Sequence, residues 1–126
     1  MISLLDTLRR IDGGGLTPAQ ALAAAREAIA ARDGEVKAFV HLAPEAAGRA
    51  TGPLAGIAVG VKDIIDTADM PTQMGSPIYA GWRPKADAPV VAALRAAGAT
   101  AIGKTSTTAF AFLDPTATEN PRAPGH

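Results

Sequence analysis

A chain of 126 residues fits one domain with a modest core. Its 12 Lys and Arg balance its 12 Asp and Glu, so there is no electrostatic footprint for nucleic acid or an anionic membrane. The absence of cysteine excludes disulfides and thiolate metal centres, and with only two histidines, His41 and His126, a histidine-rich metal site is out of reach. Neither a metal nor a cofactor is expected.

The chain opens Met-Ile-Ser-Leu-Leu-Asp, which lacks the basic-then-apolar order of a signal peptide. No apolar run approaches the roughly 20 residues of a membrane helix. The expectation is a cytoplasmic protein with no membrane partner.

Ser3 is placed to cap a short helix through Ile11, with Leu4, Leu5, Leu8 and Ile11 on one face. Gly13 to Gly15 end it and read as a connector, since no strand precedes them to make a phosphate cradle. Thr17-Pro18-Ala19-Gln20 is a capping box with proline at the first helical position. It predicts a second helix to about Arg32, carrying Leu22 and Ile29 toward a core and stopped by Asp33-Gly34.

Val36 to Leu42 has β-character around Phe39 and Val40. His41 within it is read as a packed or hydrogen-bonded strand residue rather than a general base. Residues 43 to 52 form a polar connector.

Ile57 to Val61 is a short apolar run rich in β-branched residues, preceded by the turn formers Pro53 and Gly56. It predicts a strand buried on both faces and central to the fold. Lys62-Asp63 follows at once, which places a charged pair at the strand's carboxyl end, the rim where α/β proteins bind ligands.

Residues 64 to 86 hold Pro71, Gly75-Ser76-Pro77, Gly81 and Arg83-Pro84 and lack periodicity, the mark of a long functional loop. Tyr79 and Trp82 in it either line a pocket or pin the loop to the core. Asp87 then caps a helix over Ala88 to Ala97, with Val90, Val91 and Leu94 inward and Gly98 just past its end. Thr100 to Gly103 reads as another buried strand. Strand, crossover helix and strand make a parallel pair, which brings Lys62 and the segment Lys104 to Thr108 to one polar, cationic rim. Phe110 and Phe112 are expected to pack beneath a turn, and a proline-broken tail runs to His126.

Gly98 to Thr105 spells the P-loop pattern Gly-x-x-x-x-Gly-Lys-Thr. A P-loop needs a strand before the first glycine and a helix opening at the lysine, so that backbone amides meet phosphate. Here a helix precedes Gly98 and the apolar strand lies inside the would-be loop. Nucleotide binding is therefore the minor alternative.

A larger pattern is informative. Gly52-Pro53-Leu54 to Val61-Lys62-Asp63, Pro71-Thr72-Gln73-Met74-Gly75-Ser76, Arg83-Pro84, Asp87-Ala88 to Leu94, Ala97-Gly98-Ala99, Gly103-Lys104-Thr105 and Asn120-Pro121 together resemble the amidase signature family in order and spacing over roughly residues 35 to 126. The resemblance implies an α/β fold, of which this chain is the N-terminal portion: helices packed on a mixed, mostly parallel β-sheet. Residues 1–34 would be the N-terminal helices of an incomplete amidase domain, and 35–126 its first strands and crossover helix.

The resemblance also implies hydrolysis of a small-molecule carboxamide without a cofactor, by a Ser, cis-Ser, Lys triad. Lys62 matches the triad lysine, the catalytic residue expected in this chain. Asp63 is expected to support the site by hydrogen bonding, and Gly75 and Ser76 to shape the loop. Ala58 and Ala109 stand where many members carry proline and glutamate. The family's Gly/Ser-rich segment, which supplies both serines and the oxyanion hole, begins after the position of His126. Ser76, before Pro77 in a turn, and Ser106, outside any Gly-x-Ser-x-Gly elbow, are poor substitutes. The isolated chain is thus expected to be inactive. The alternative is a non-catalytic fragment or subunit that needs a complementary chain and self-associates through open sheet edges.

Overall fold

Capping chemistry places the two N-terminal helices. The computed structural model describes residues 3–44, 51–123 and 125. In α1 (Leu4–Asp12) the Ser3 hydroxyl accepts the Asp6 amide at 3.4 Å. In α2 (Pro18–Val36) the capping box is reciprocal: Thr17 Oγ1 accepts from the Gln20 amide and Gln20 Oε1 from the Thr17 amide. Among the described residues, the leucine face of α1 is only partly covered. Leu8 and Ile11 are half-buried, whereas Leu4 and Leu5 are exposed.

Asp33-Gly34 does not stop α2. The helix runs on to Val36 and ends at Lys37, which takes the left-handed conformation and donates its amide to Asp33 O at 2.7 Å. The Asp33 carboxylate turns the chain instead, accepting the Ala38 amide at 2.8 Å and the Phe39 amide at 3.3 Å. Gly34 costs the helix only about 0.5–1 kcal/mol, less than these charge-assisted bonds return.

The sheet has three strands among the described residues: β1 (Phe39–Leu42), β2 (Ala58–Lys62) and β3 (Thr100–Thr105), in spatial order β1-β3-β2. β2 and β3 are parallel and joined through α3 (Pro89–Ala96), while β1 runs antiparallel to β3. The predicted mixed α/β arrangement is present, but among the described strands the central one is β3. β3 has neighbours on both sides and four consecutive buried residues, Ala101 to Lys104. β2 is an edge strand among those described, with Gly60 and Lys62 exposed. An apolar run marks a strand but not its number of neighbours, which pairing alone settles. Glycine lets β1 and β3 close up: a Cβ at Gly103 would stand 2.6 Å from His41 O.

Asp87 does not cap α3. Ala88 holds that position without a side-chain bond, and the Asp87 carboxylate accepts the Ala68 amide at 2.8 Å and meets Arg95 Nε at 3.1 Å. Val91 enters the core while its neighbour Val90 stays exposed, because successive helical residues lie on different faces. Gly98 closes the helix at φ +97°, and the amides of Gly98 and Ala99 cap Arg95 O and Leu94 O.

The core gathers Ala43, Val61, Met70, Val91 and Ala101. The expected burial of Phe110 and Phe112 is not found among the described residues, where both are exposed; Phe110 and Ala111 take positive φ values of 51° and 58°. The tail docks on the end of α2 through Glu119 N to Val36 O and Thr118 Oγ1 to Lys37 O. Positions 45–50 of the expected connector, and 1, 2, 124 and 126 at the ends, lie outside the described residues.

Candidate active site

Lys62 is the last residue of β2, and its side chain is exposed at the carboxyl rim of the parallel pair. It pairs with Thr105 of β3, and the preceding pair is Val61 with Lys104. Side chains alternate along a strand, so Lys62 and Thr105 leave the sheet on one face, and Val61 and Lys104 on the other. The strand ends do meet, yet the two lysines do not form a joint cationic rim.

Lys104 lies inside the molecule with 0% exposure. Its Nζ donates to Thr72 Oγ1 at 2.6 Å, Ile65 O at 2.8 Å and Pro71 O at 3.2 Å. Three acceptors match the three N–H bonds of an ammonium. Asp63 Oδ1 lies 3.5 Å from the same nitrogen. This is an ion-pair contact outside hydrogen-bond geometry, which leaves Oδ1 without a hydrogen-bond partner among the described residues. The other oxygen, Oδ2, accepts the Gln73 amide at 3.3 Å. Burial lowers the Lys104 pKa from the ordinary 10.5, against the attraction of Asp63 first and then Asp66 and Asp69.

Asp63 was expected to support the site by hydrogen bonding; its side chain accepts the Gln73 amide, and the cation that it meets is Lys104. The sequence pattern assigned Lys104 to an exposed rim, and this role was missed. A usable signal was present: a lysine in register with the buried Ala101-Ile102 run needs interior acceptors, and an acid following buried Val61 supplies one.

The long loop after β2 is pinned at several points. Besides the Lys104 bonds, Met74 N donates to Asp63 O and Phe110 N to Met74 O. Gly75, at φ +63°, has no room for a side chain, because a Cβ would meet Thr107 O at 2.5 Å. The Ser76 hydroxyl is occupied as the cap of a short 3-10 turn (Pro77–Tyr79), accepting the Ile78 amide. Tyr79 makes edge-on contacts with Trp82 and Phe110, each at 6.0 Å between centroids. The aromatics therefore join two loop segments to each other.

Ser106 follows β3 and donates its amide to Ala38 O. His41 is a half-buried β1 residue paired in register with Lys104, in keeping with a structural strand position. In the P-loop-like segment, Thr100–Thr105 is strand, the Thr100 amide is bonded to Ile57 O, and the lysine points into the core. No phosphate cradle exists there. A cleft of about 600 Å³, lined by Leu4, Thr7, Arg10, Ala21 and Ile57 among others, opens at the other end of β2 from Lys62.

A parallel β-α-β unit with one lysine exposed at a strand end, a second enclosed on the other face of the sheet and a long pinned loop after β2 defines an α/β scaffold. The chain belongs to the amidase family, whose model matches residues 19–124. It is 37% identical over 123 residues to a glutamyl-tRNA(Gln) amidotransferase subunit of Rhodopirellula baltica, a match that covers 87% of this chain and 25% of that protein. Its structure resembles the peptide amidase of Stenotrophomonas maltophilia, with a TM-score of 0.77 and 33% identity over 86% of this chain and 25% of that one. It also resembles the corresponding glutamyl-tRNA(Gln) amidotransferase subunit of Thermotoga maritima, with a TM-score of 0.74 and 29% identity over 82% and 24% of the two chains. The chain spans about a quarter of the length of the curated relatives that it matches.

Proposed function

We propose that this chain carries the general base of an amide hydrolase, and that the base is Lys62. The observation that supports this most is the division of labour between two strand-end lysines. Lys104 is fully committed to interior acceptors, whereas the Lys62 amine makes no ion pair or hydrogen bond among the described residues and stands at the open rim.

The reaction is hydrolysis of a small-molecule carboxamide. A serine attacks the amide carbon, a second serine with a cis peptide bond relays the nucleophile's proton, and the lysine receives it. The proton then passes to the departing nitrogen, and water hydrolyses the acyl-enzyme. Neither Ser76, held as a turn cap, nor Ser106 suits the nucleophile's role, so both serines and the oxyanion hole come from a complementary segment. That segment also supplies what Lys62 lacks here. A lysine acts as base only when neutral, which desolvation favours, and Lys62 is exposed among the described residues. On this reading the isolated chain is inactive.

The test is ammonia release from small carboxamides by the chain together with its serine-bearing complement, with Lys62→Ala compared with the unsubstituted chain. The expected loss in kcat is about 10³-fold or more. Undiminished hydrolysis by Lys62→Ala would overturn the assignment. If no complement restores hydrolysis to the unsubstituted chain, the second reading, a non-catalytic binding subunit, takes its place.

A further inference from the structure

We propose that Lys104 is a positioning residue for Lys62: its buried ammonium acts as an internal cation that holds the turn following the strand-end lysine. This inference rests on the reading of Lys62 as the base, but its test does not.

The turn is closed at one level by the backbone, with Ile65 N donating to Lys62 O at 2.9 Å and Asp63 N to Thr105 O at 3.0 Å. Such a turn at the end of an edge strand has few constraints of its own. Lys104 adds them from below. It grips Ile65 by its carbonyl, meets the Asp63 carboxylate and binds Pro71 O and Thr72 Oγ1, so one nitrogen fastens both ends of the segment from 63 to 72. Asp63 in turn bonds the next part of the loop through its carbonyl to Met74 N and through Oδ2 to Gln73 N. The arrangement resembles a bound cation in an oxygen-lined loop, with the lysine stem delivering the charge from β3.

A neutral side chain of equal length would fill the volume without replacing the ammonium. Ile65 O then keeps only the Thr72 hydroxyl at 3.4 Å, Pro71 O and Thr72 Oγ1 lose the donor that Lys104 supplies, and the Asp63 carboxylate, at 3% exposure, keeps the Gln73 amide but loses its counter-charge. The turn opens to find water, and the backbone of Lys62 loses its anchor at Ile65. Charge and packing are therefore separable.

The absence of cysteine in the chain permits the separation. Lys104→Cys, alkylated in denaturant with 2-bromoethylamine and refolded, restores an amine on a side chain of nearly lysine length. Alkylation with 2-bromoethanol gives a neutral counterpart of the same length, with one O–H donor in place of the ammonium's three N–H donors. Amide hydrogen exchange at Ile65 and Met74 reports the turn directly, and trace acylation of Lys62 relative to exposed Lys85 reports the presentation of the strand-end amine.

The aminoethyl form should keep Ile65 and Met74 protection near the wild-type level, while the hydroxyethyl form should lose about tenfold or more. The Lys62-to-Lys85 acylation ratio should shift in the neutral form and return in the amine form. Equal protection and equal ratios in the two forms would overturn the proposal. Should neither alkylated form refold, Lys104→Met decides. Faster exchange confined to residues 62–74 supports the internal-cation role, and unaltered exchange there refutes it. Lys62→Ala should leave these exchange rates untouched, so failure of the hydrolase reading would appear separately, as hydrolysis indifferent to Lys62.

Discussion

Lys62 and Lys104 sit one register step apart on neighbouring parallel strands, and their side chains leave the sheet on opposite faces. The step decides their chemistry. One amine reaches the rim exposed, and the other is enclosed by Thr72, Ile65, Pro71 and Asp63.

Removing the enclosed amine should be costly. Lys104→Met conserves most of the volume but strands the buried Asp63 carboxylate, and loss of one partner from a buried pair costs about 3–5 kcal/mol. Urea unfolding should show this as a lower midpoint, with partial recovery in the double variant Asp63→Asn, Lys104→Met.

The same residue gives a pH signature. The folded pKa of Lys104 is lowered below 10.5. Between those two values the unfolded chain binds more protons than the folded chain, so the Lys104 contribution to stability rises with pH across that window. The stability advantage of the wild type over Lys104→Met should therefore grow as the pH rises toward 10.5 in paired urea titrations. A constant or shrinking gap would contradict it.

Two glycines with similar backbone angles should respond differently to alanine. Gly81, at φ +75°, has open space where a Cβ would stand, so Gly81→Ala should cost only the left-handed penalty of about 1–2 kcal/mol. Gly75 is at φ +63°, but its Cβ would lie 2.5 Å from Thr107 O and 2.8 Å from Thr108 O. Gly75→Ala should cost about 3 kcal/mol or more, since the loop must move as well. Thermal or urea denaturation of the two variants side by side checks the ranking.

The end of α2 offers a stabilising change beside a destabilising one. Gly34 is helical with nothing within 4 Å of a Cβ, so Gly34→Ala should add about 0.5–1 kcal/mol. Asp33→Ala removes the acceptor for the Ala38 and Phe39 amides and should cost about 1–2 kcal/mol. The loss should be accompanied by faster exchange at those two amides.

Signals with short-range physics are legible in the amino-acid sequence itself. The Ser3 cap, the Thr17 to Gln20 box, the apolar strand cores, the Gly98 terminator and the strand-helix-strand order all depend on neighbours a few residues away, and they stand where the sequence puts them. The motif run around Lys62-Asp63 and Gly103-Lys104 likewise carried the family. What it could not carry was the fate of charged groups whose partners are distant in sequence. Asp87 looked like a cap and became a partner of Arg95 and the Ala68 amide, while Asp33 looked like a stop and became a brace. The two strand-end lysines looked alike until pairing register assigned their faces. Sequence sets the period of side chains along a strand, but only the stacking of β1, β3 and β2 decides which face is sealed. On that sealed face Lys104 is enclosed by acceptors and a carboxylate, while Lys62 remains at the rim.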